Sequence, residues 1–217
     1  TTVASDGGAL AMRSNSGIYF DGELRADAGG TNASGGGLEV LLEGTLTSLS
    51  QATEEASVLR NVILTQADTG SGYDDENPAY GQARFSVDAL QDSGIDHLSL
   101  WARDAILFDG DVDLALGGSL SLTAVTLATP DPTARQVRLA APHVHLAGRV
   151  SLPVSSSGNT PGVNPYLQFD DNAPLAEGDS QLSVEAALID LGEGVLTFGA
   201  RGSYDTPNGA TEVELPG

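Results

Sequence analysis

Asp109, Asp111 and Asp113 stand at alternate positions, a spacing that could serve shared chemistry. Alternate residues of an extended strand project from one face, and three carboxylates so placed could chelate Ca²⁺, which takes six to eight oxygen ligands. A twelve-residue Ca²⁺ loop starting at Asp109 would need glutamate at position 120, where Leu120 stands, so a solvated acidic face is the plainer expectation. The acidic runs Tyr73 to Asn77 (YDDEN) and Phe169 to Asn172 (FDDN) are better suited to enclose an ion, because a loop brings oxygens in from several directions. A soluble loop tip is the alternative at both. No metal site and no cofactor is assigned, and Ca²⁺ is the ion to which these groups would be open.

His143 and His145 share a strand face, but with no cysteine and no third histidine nearby a zinc site is not expected. Two outward-facing rings beside Pro142 are expected instead. Arg103, Arg135, Arg138 and Arg149 are the basic candidates for abstracting a proton from a polysaccharide. A formal charge of −21 would repel a polyanionic substrate. A Ser/His/Asp triad is compatible with the composition, yet no Gly-x-Ser-x-Gly elbow occurs. No catalytic, cofactor-binding or metal-ligating residue is therefore assigned, and the chain is not expected to be an enzyme. Trp101 falls on the outward parity of its strand beside Arg103. It could stack on a sugar or a partner, although a tryptophan sheltered by a loop is the commoner case.

Composition narrows the rest. The 217 residues carry 30 acidic and 9 basic side chains, and all nine basic ones are arginine. Such a field disfavours phosphate backbones, so no nucleic-acid partner is expected. The lack of lysine removes Schiff-base chemistry and a lysine-dependent phosphate loop. With no cysteine there is no disulfide framework and no thiol nucleophile. No apolar run approaches the ~18 residues of a membrane-spanning helix, and no membrane insertion is expected. The start, TTVASDGGAL, lacks the charged and apolar regions of a signal peptide, which suggests an internal piece of something longer.

The elements that must position these residues read as strands. From Leu98 to Leu122 apolar residues hold even positions, a period of two. Within that tract Ile106 to Leu120 (ILFDGDVDLALGGSL) is echoed by Ile18 to Gly30 (IYFDGELRADAGG), and more weakly by HVHLAGRVSL, where Leu146 takes the place of Phe108. Further strands are expected at Leu38 to Leu46, Ser57 to Thr65, Ala83 to Leu90, Val137 to Val154, Gln181 to Leu191, Val195 to Tyr204 and Thr211 to Leu215. Gln51 to Ala56 could form one helical turn, and no helix of ten residues is expected. Long loops are expected at about 66–81 and 155–180, where glycine, proline and acids cluster.

Apolar centres at Phe20, Val40, Val62, Val87 and Phe108 are separated by 20, 22, 25 and 21 residues. That interval suits the coils of a parallel β-helix. The expected fold is all-β, a parallel β-helix (solenoid) over 1–217 as a single segment with the two long loops; a β-sandwich is the alternative. Asp21-Gly22 and Asp109-Gly110 lie within alternating runs, where a corner or bulge competes with a hairpin.

Leu98 to Ala124 (LSLWARDAILFDGDVDLALGGSLSLTA), Val137 to Gly148 (VRLAAPHVHLAG) and Leu182 to Gly194 (LSVEAALIDLGEG) resemble, in that order, blocks found in filamentous-haemagglutinin-family large exoproteins. These are the secreted partners of two-partner secretion systems in Gram-negative bacteria. The resemblance implies a right-handed parallel β-helix in an extracellular shaft, used for adhesion, biofilm formation or contact-dependent inhibition. It also implies export through an outer-membrane two-partner transporter, a location outside the cell or on its surface, and a cell-surface receptor or glycan as partner. The run Thr206 to Gly209 (TPNG) reads as a turn, not as the family's Asn-Pro-Asn secretion signature. A β-helical carbohydrate-binding protein or polysaccharide-active enzyme is the competing expectation.

Overall fold

The structure, a computed structural model, describes residues 4–43, 59–72, 80–129, 134–148, 180–193 and 197–198, and the backbone of 203–204 and 213–214. The first half holds β1 (Ala9–Ser14), β2 (Gly36–Leu42), β3 (Asn61–Thr65), β4 (Gln82–Ser86) and the helix α1 (Val87–Asp92). Then come β5 (Ile95–Ala102), β6 (Ala105–Asp109), β7 (Val112–Ala115), β8 (Ser119–Ala124), β9 (Thr126–Ala128), β10 (Gln136–Ala140) and β11 (His143–Gly148). The remainder are β12 (Gln181–Glu185), β13 (Leu188–Leu191), β14 (Thr197–Phe198), β15 (Ser203–Tyr204) and β16 (Val213–Glu214).

The chain is all-β in class, and its three main sheets are parallel. The first sheet runs β1-β2-β5-β8-β11-β13, the second β14-β9-β6-β3-β4, and the third β12-β10-β7. Only β15 and β16 pair antiparallel among the described residues, so the hairpin-built sandwich finds no support. From β5 to β11 the chain passes from first to second to third sheet in succession, with β8, β9, β10 and β11 lying beside β5, β6, β7 and β8 respectively.

Register turns the alternation of the sequence into columns. Leu38, Leu98, Leu120 and Val144 are successive partners in the first sheet, as are Val40, Leu100, Leu122 and Leu146. Val62, Ile106 and Leu127 align in the second sheet, and Val112, Val137 and Leu182 in the third. All three sets belong to one apolar core. Each aliphatic side chain there leaves water at roughly 25 cal/mol per Å² of apolar surface, and the parallel ladders satisfy the backbone between turns. The second sheet is buried on its other face too, by Ile63, Ala105, Leu107 and Ala128. This is why Val62-Ile63-Leu64 and Ile106-Leu107-Phe108 are apolar without alternation.

The second sheet has a further peculiarity. After β3 the chain returns to the same sheet and lays β4 on the side of β3 away from β6, so one first-sheet strand, β2, is followed by two second-sheet strands. Later β14 pairs directly with β9, so the turn containing β11 contributes no strand between them. With the bridge from Ile18 to Ala83, the first and second sheets each present six rows.

Polar corners fasten the turns together. Between the first and second sheets, the Arg60 amide donates to Asp104 Oδ2 at 2.7 Å, and Arg103 reaches the same oxygen through Nε at 2.8 Å and Nη2 at 2.7 Å. Asn61 Oδ1 accepts the Ala105 amide at 3.2 Å, and Arg60 Nε donates to the Asn15 carbonyl at 2.6 Å. Between the third and first sheets space is scarce. A Cβ at Gly117 would press on the Asp96 carboxylate, which accepts the Gly35 amide and would have to shift.

Several expectations need correction. The strand expected at Ala83 to Leu90 ends at Ser86, whose side chain accepts the Ala89 amide and starts α1. Val87 and Leu90, three apart, are buried, which is helical rather than extended spacing. The tract Ile106 to Leu120 is three strand segments, turned at Gly110 (φ 105°) and around Gly117-Gly118. The Asp109-Gly110 step is thus a corner. The first unit is strand only over Ala9–Ser14, with an isolated bridge at Ile18.

The five apolar centres do not mark equivalent places. Val40 lies in the first sheet, Val62 and Phe108 in the second and Val87 in α1, while Phe20 belongs to no strand. The echo between Ile18 and Ile106 survives, because both lie in the second sheet. The echo at HVHLAGRVSL does not, since Leu146 lies in the first sheet opposite Leu122. Ser71, inside the expected surface loop 66–81, is buried and bonded to Asp21. Leu46, the possible helical turn at 51–56 and the expected loop at 155–180 fall outside the described residues, apart from Ser180.

Candidate functional site

Among the described residues the third sheet begins at β7. In the two preceding turns its place is taken by α1, which packs against β7, and by the irregular segment 19–28. The edge this leaves is covered by side chains. Gln66 Oε1 accepts the Asp113 amide at 2.7 Å and Gln91 Oε1 accepts the Ala115 amide at 3.0 Å, satisfying donors that a neighbouring strand would otherwise take.

Beside α1 lies a cavity of about 240 Å³. Phe20, Leu24, Phe85 and Leu90 supply its apolar lining, and Asp21, Glu23, Asp68 and Asp92 its carboxylates. The Phe20 ring packs so closely on Gly22 that a Cβ there would sit 2.9 Å from it. Asp21 is held by the Ser71 amide at 2.8 Å and hydroxyl at 2.7 Å, and Asp68 Oδ1 accepts the Gly70 amide at 2.8 Å. Arg84, the one cationic residue of the lining, has Nη1 2.9 Å from Asp109 Oδ2. The cavity thus offers aromatic and aliphatic surface beneath a negative rim.

The residues singled out in the sequence are dispersed. Asp109 pairs with Arg84, Asp111 Oδ1 accepts the Gln136 amide at 2.9 Å, and Asp113 lies 2.7 Å from Arg138 Nη1. The three lie across a corner rather than along one strand face, and each has its own partner. Among the described residues no group of three or more His, Cys, Asp and Glu side chains could hold a metal ion. Tyr73 to Asn77, Phe169 to Asn172 and Arg149 lie outside the described residues.

Arg138 bridges three strands of the third sheet, bonding Asp113 on one side and, through Nε and Nη2, both oxygens of Glu185 on the other at 2.8 Å. These bonds hold the Glu185 carboxyl below its usual range and push the Arg138 guanidinium further up. Arg103 is buried against Asp104. The Arg135 amide donates to Ser180 Oγ at 3.0 Å, and the residue is half-buried. None is an uncommitted base.

His143 and His145 do face outward from the first sheet, with His97 on the same face. His97 Nδ1 is 2.9 Å from Ser119 Oγ, and His145 Nδ1 is 3.0 Å from Asp190 Oδ2. Register sets Ser121, His145 and Asp190 in one column, the residue types of a hydrolytic triad. Its geometry is wrong for one. His145 Nε2 lies over Gly192, where a Cβ would be 3.1 Å from it, on the side away from Ser121. Trp101 has the outward parity expected and is half-buried. Phe85, Asp68 and Asp92 were not singled out by the sequence, because three stretches separated by tens of residues build the cavity.

Compared with protein-family models, with curated proteins and with solved structures, the chain matches none.

Proposed function

We propose that this chain is an extracellular structural and adhesive segment of a large secreted bacterial exoprotein of the filamentous-haemagglutinin type. Its turns form a right-handed parallel β-helix, a single segment over 1–217, and contribute to a shaft on the surface of a Gram-negative cell. Export passes through an outer-membrane two-partner transporter, and a receptor or glycan on a cell surface is the partner. The observation that carries this reading is the passage β5 to β11 through three parallel sheets in turn, with Leu98, Leu120 and Val144 stacked at the same inward position. Turns that bury one another's apolar face give a rod by repetition. An exterior of net charge −21 keeps such rods from aggregating.

The competing reading, a β-helical carbohydrate-binding protein or polysaccharide-active enzyme, draws support from the cavity that gathers carboxylates and Arg84. Arg84 is held by Asp109, which leaves that site without a free guanidinium to abstract a proton and favours binding over arginine-based catalysis. The deciding experiment titrates the labelled, folded chain onto intact Gram-negative bacteria and host epithelial cells, with and without Ca²⁺. Saturable capture competed by unlabelled chain is expected. Its absence on every surface would sink the adhesive part of the reading.

A further inference from the structure

Acidic residues outnumber basic ones 30 to 9 in this chain, so acidity alone singles out no part of it. The cavity beside α1 differs because its exposed carboxylates rim a half-open recess that Phe20, Leu24, Phe85 and Leu90 also line. Phe20 and Phe85 put two aromatic rings into its lining, with Leu24 and Leu90 between the carboxylates. An aromatic face attracts cations through its quadrupole, and carboxylates gathered at the mouth of a recess add a negative field to that attraction. An anion would meet four carboxylates there. Glu23 is already paired with Arg25, Nη2 to Oε1 at 2.8 Å, and a neutral apolar molecule would gain nothing from the remaining carboxylates.

We propose that this cavity binds a small organic cation, an ammonium or guanidinium group carried on a short apolar stem. At about 240 Å³ it is smaller than the usual drug-sized pocket, which suits one charged head and a few carbons. The cationic head is attracted to the Phe20 and Phe85 rings and to the rim, where Asp92 makes no hydrogen bond or ion pair among the described residues. Arg84 does not oppose it, because its guanidinium is paired with Asp109. Asp21 and Asp68, fixed by Ser71 and Gly70, are already oriented and need little ordering on binding. The site stands apart from the shaft reading, since it lies where the third sheet is replaced by α1.

The same chemistry has two sources, a free amine or a basic side chain of another protein. The test titrates the full chain, followed by amide chemical shifts, with choline, its uncharged isostere 3,3-dimethylbutanol, and N-acetylated lysine and arginine amides. Saturable binding of at least one cation is expected, about tenfold tighter than that of its uncharged counterpart, with shifts at Gly22, Gly70, Ala89 and Ser93. Tighter binding of choline would identify a free amine as the source, and tighter binding of an amino-acid amide a protein side chain. Glu23→Gln with Asp92→Asn, both at exposed positions, should weaken binding while leaving the spectrum folded; Asp190→Asn on the first sheet should leave binding unchanged. Equal affinity for the uncharged isostere, shifts confined to other surfaces, or no saturable binding by the folded chain would overturn the proposal.

Discussion

Residues 95–148 and residues 4–94 are built from the same stock of glycine, aliphatics and aspartate, yet they pack differently. In the later region strands fill all three sheets, the inner columns are buried, and the outer positions hold serine, threonine, histidine and paired charges. Among the described residues of the earlier region no strand joins the third sheet. A six-residue helix and an irregular segment stand in its place, Phe20 and Leu24 are only half-buried, and a cavity remains between them. The difference teaches that stacking repeats fills a core only while each turn supplies all its strands. Where one turn departs, its neighbour must cover an edge, as Gln66 and Gln91 do, and space is left for a ligand.

The sharpest way to break this contrast is at the corner joining the two regions. Asp104 is 2% exposed, and Asp104→Ala would strand the buried Arg103 and free the Arg60 amide. A loss of about 3–5 kcal/mol is expected in urea unfolding. Next, Leu122→Ala in a filled column should cost about 2–5 kcal/mol, whereas Leu24→Ala beside the cavity should cost less than about 2 kcal/mol. Equal costs would mean that the earlier region is packed as tightly as the later one. Ser86→Ala removes the cap of α1 and should cost about 0.5–2 kcal/mol, read as faster amide exchange at Ala89.

The smallest effect concerns the Arg138 clamp. Glu185 has its carboxyl lowered in the folded chain, so the stabilisation it contributes is present above the ordinary glutamate pKa and is lost as pH falls through the folded value. A carbon-detected titration should place Glu185 below the usual range, and Arg138→Gln should return it there. Both groups are exposed, so the midpoint of unfolding should barely move.

The later region was the more legible in sequence, for a physical reason. Inward parity at Leu98, Leu100, Leu120, Leu122, Val137 and Leu139 follows from the two-residue period of a strand, and all six are buried. Helix α1 was hidden because Phe85 and Val87 continue the alternation of β4; only Ser86 as a cap and the spacing of Val87 to Leu90 signal the change. The near-constant interval of apolar centres was a coincidence across different elements, whereas the partners that stack, Leu98 with Leu120 and Leu120 with Val144, emerge only from register. The cavity had no local signature. Neither had the pairing of His145 with Asp190, whose residues are 45 apart.

The extra strand in the second sheet and the missing one beyond β9 can be viewed as a crystal physicist would view a dislocation and its opposite. Inserting a row into one sheet alone offsets it from its neighbour by one strand spacing, about 4.8 Å, and every later corner would have to absorb the mismatch. The direct pairing of β14 with β9 annihilates the defect, so the first and second sheets are level again at β13 and β14. Removing the β3 to β4 excursion alone would therefore leave the vacancy uncompensated and shear the far end of the molecule, far from the deletion itself.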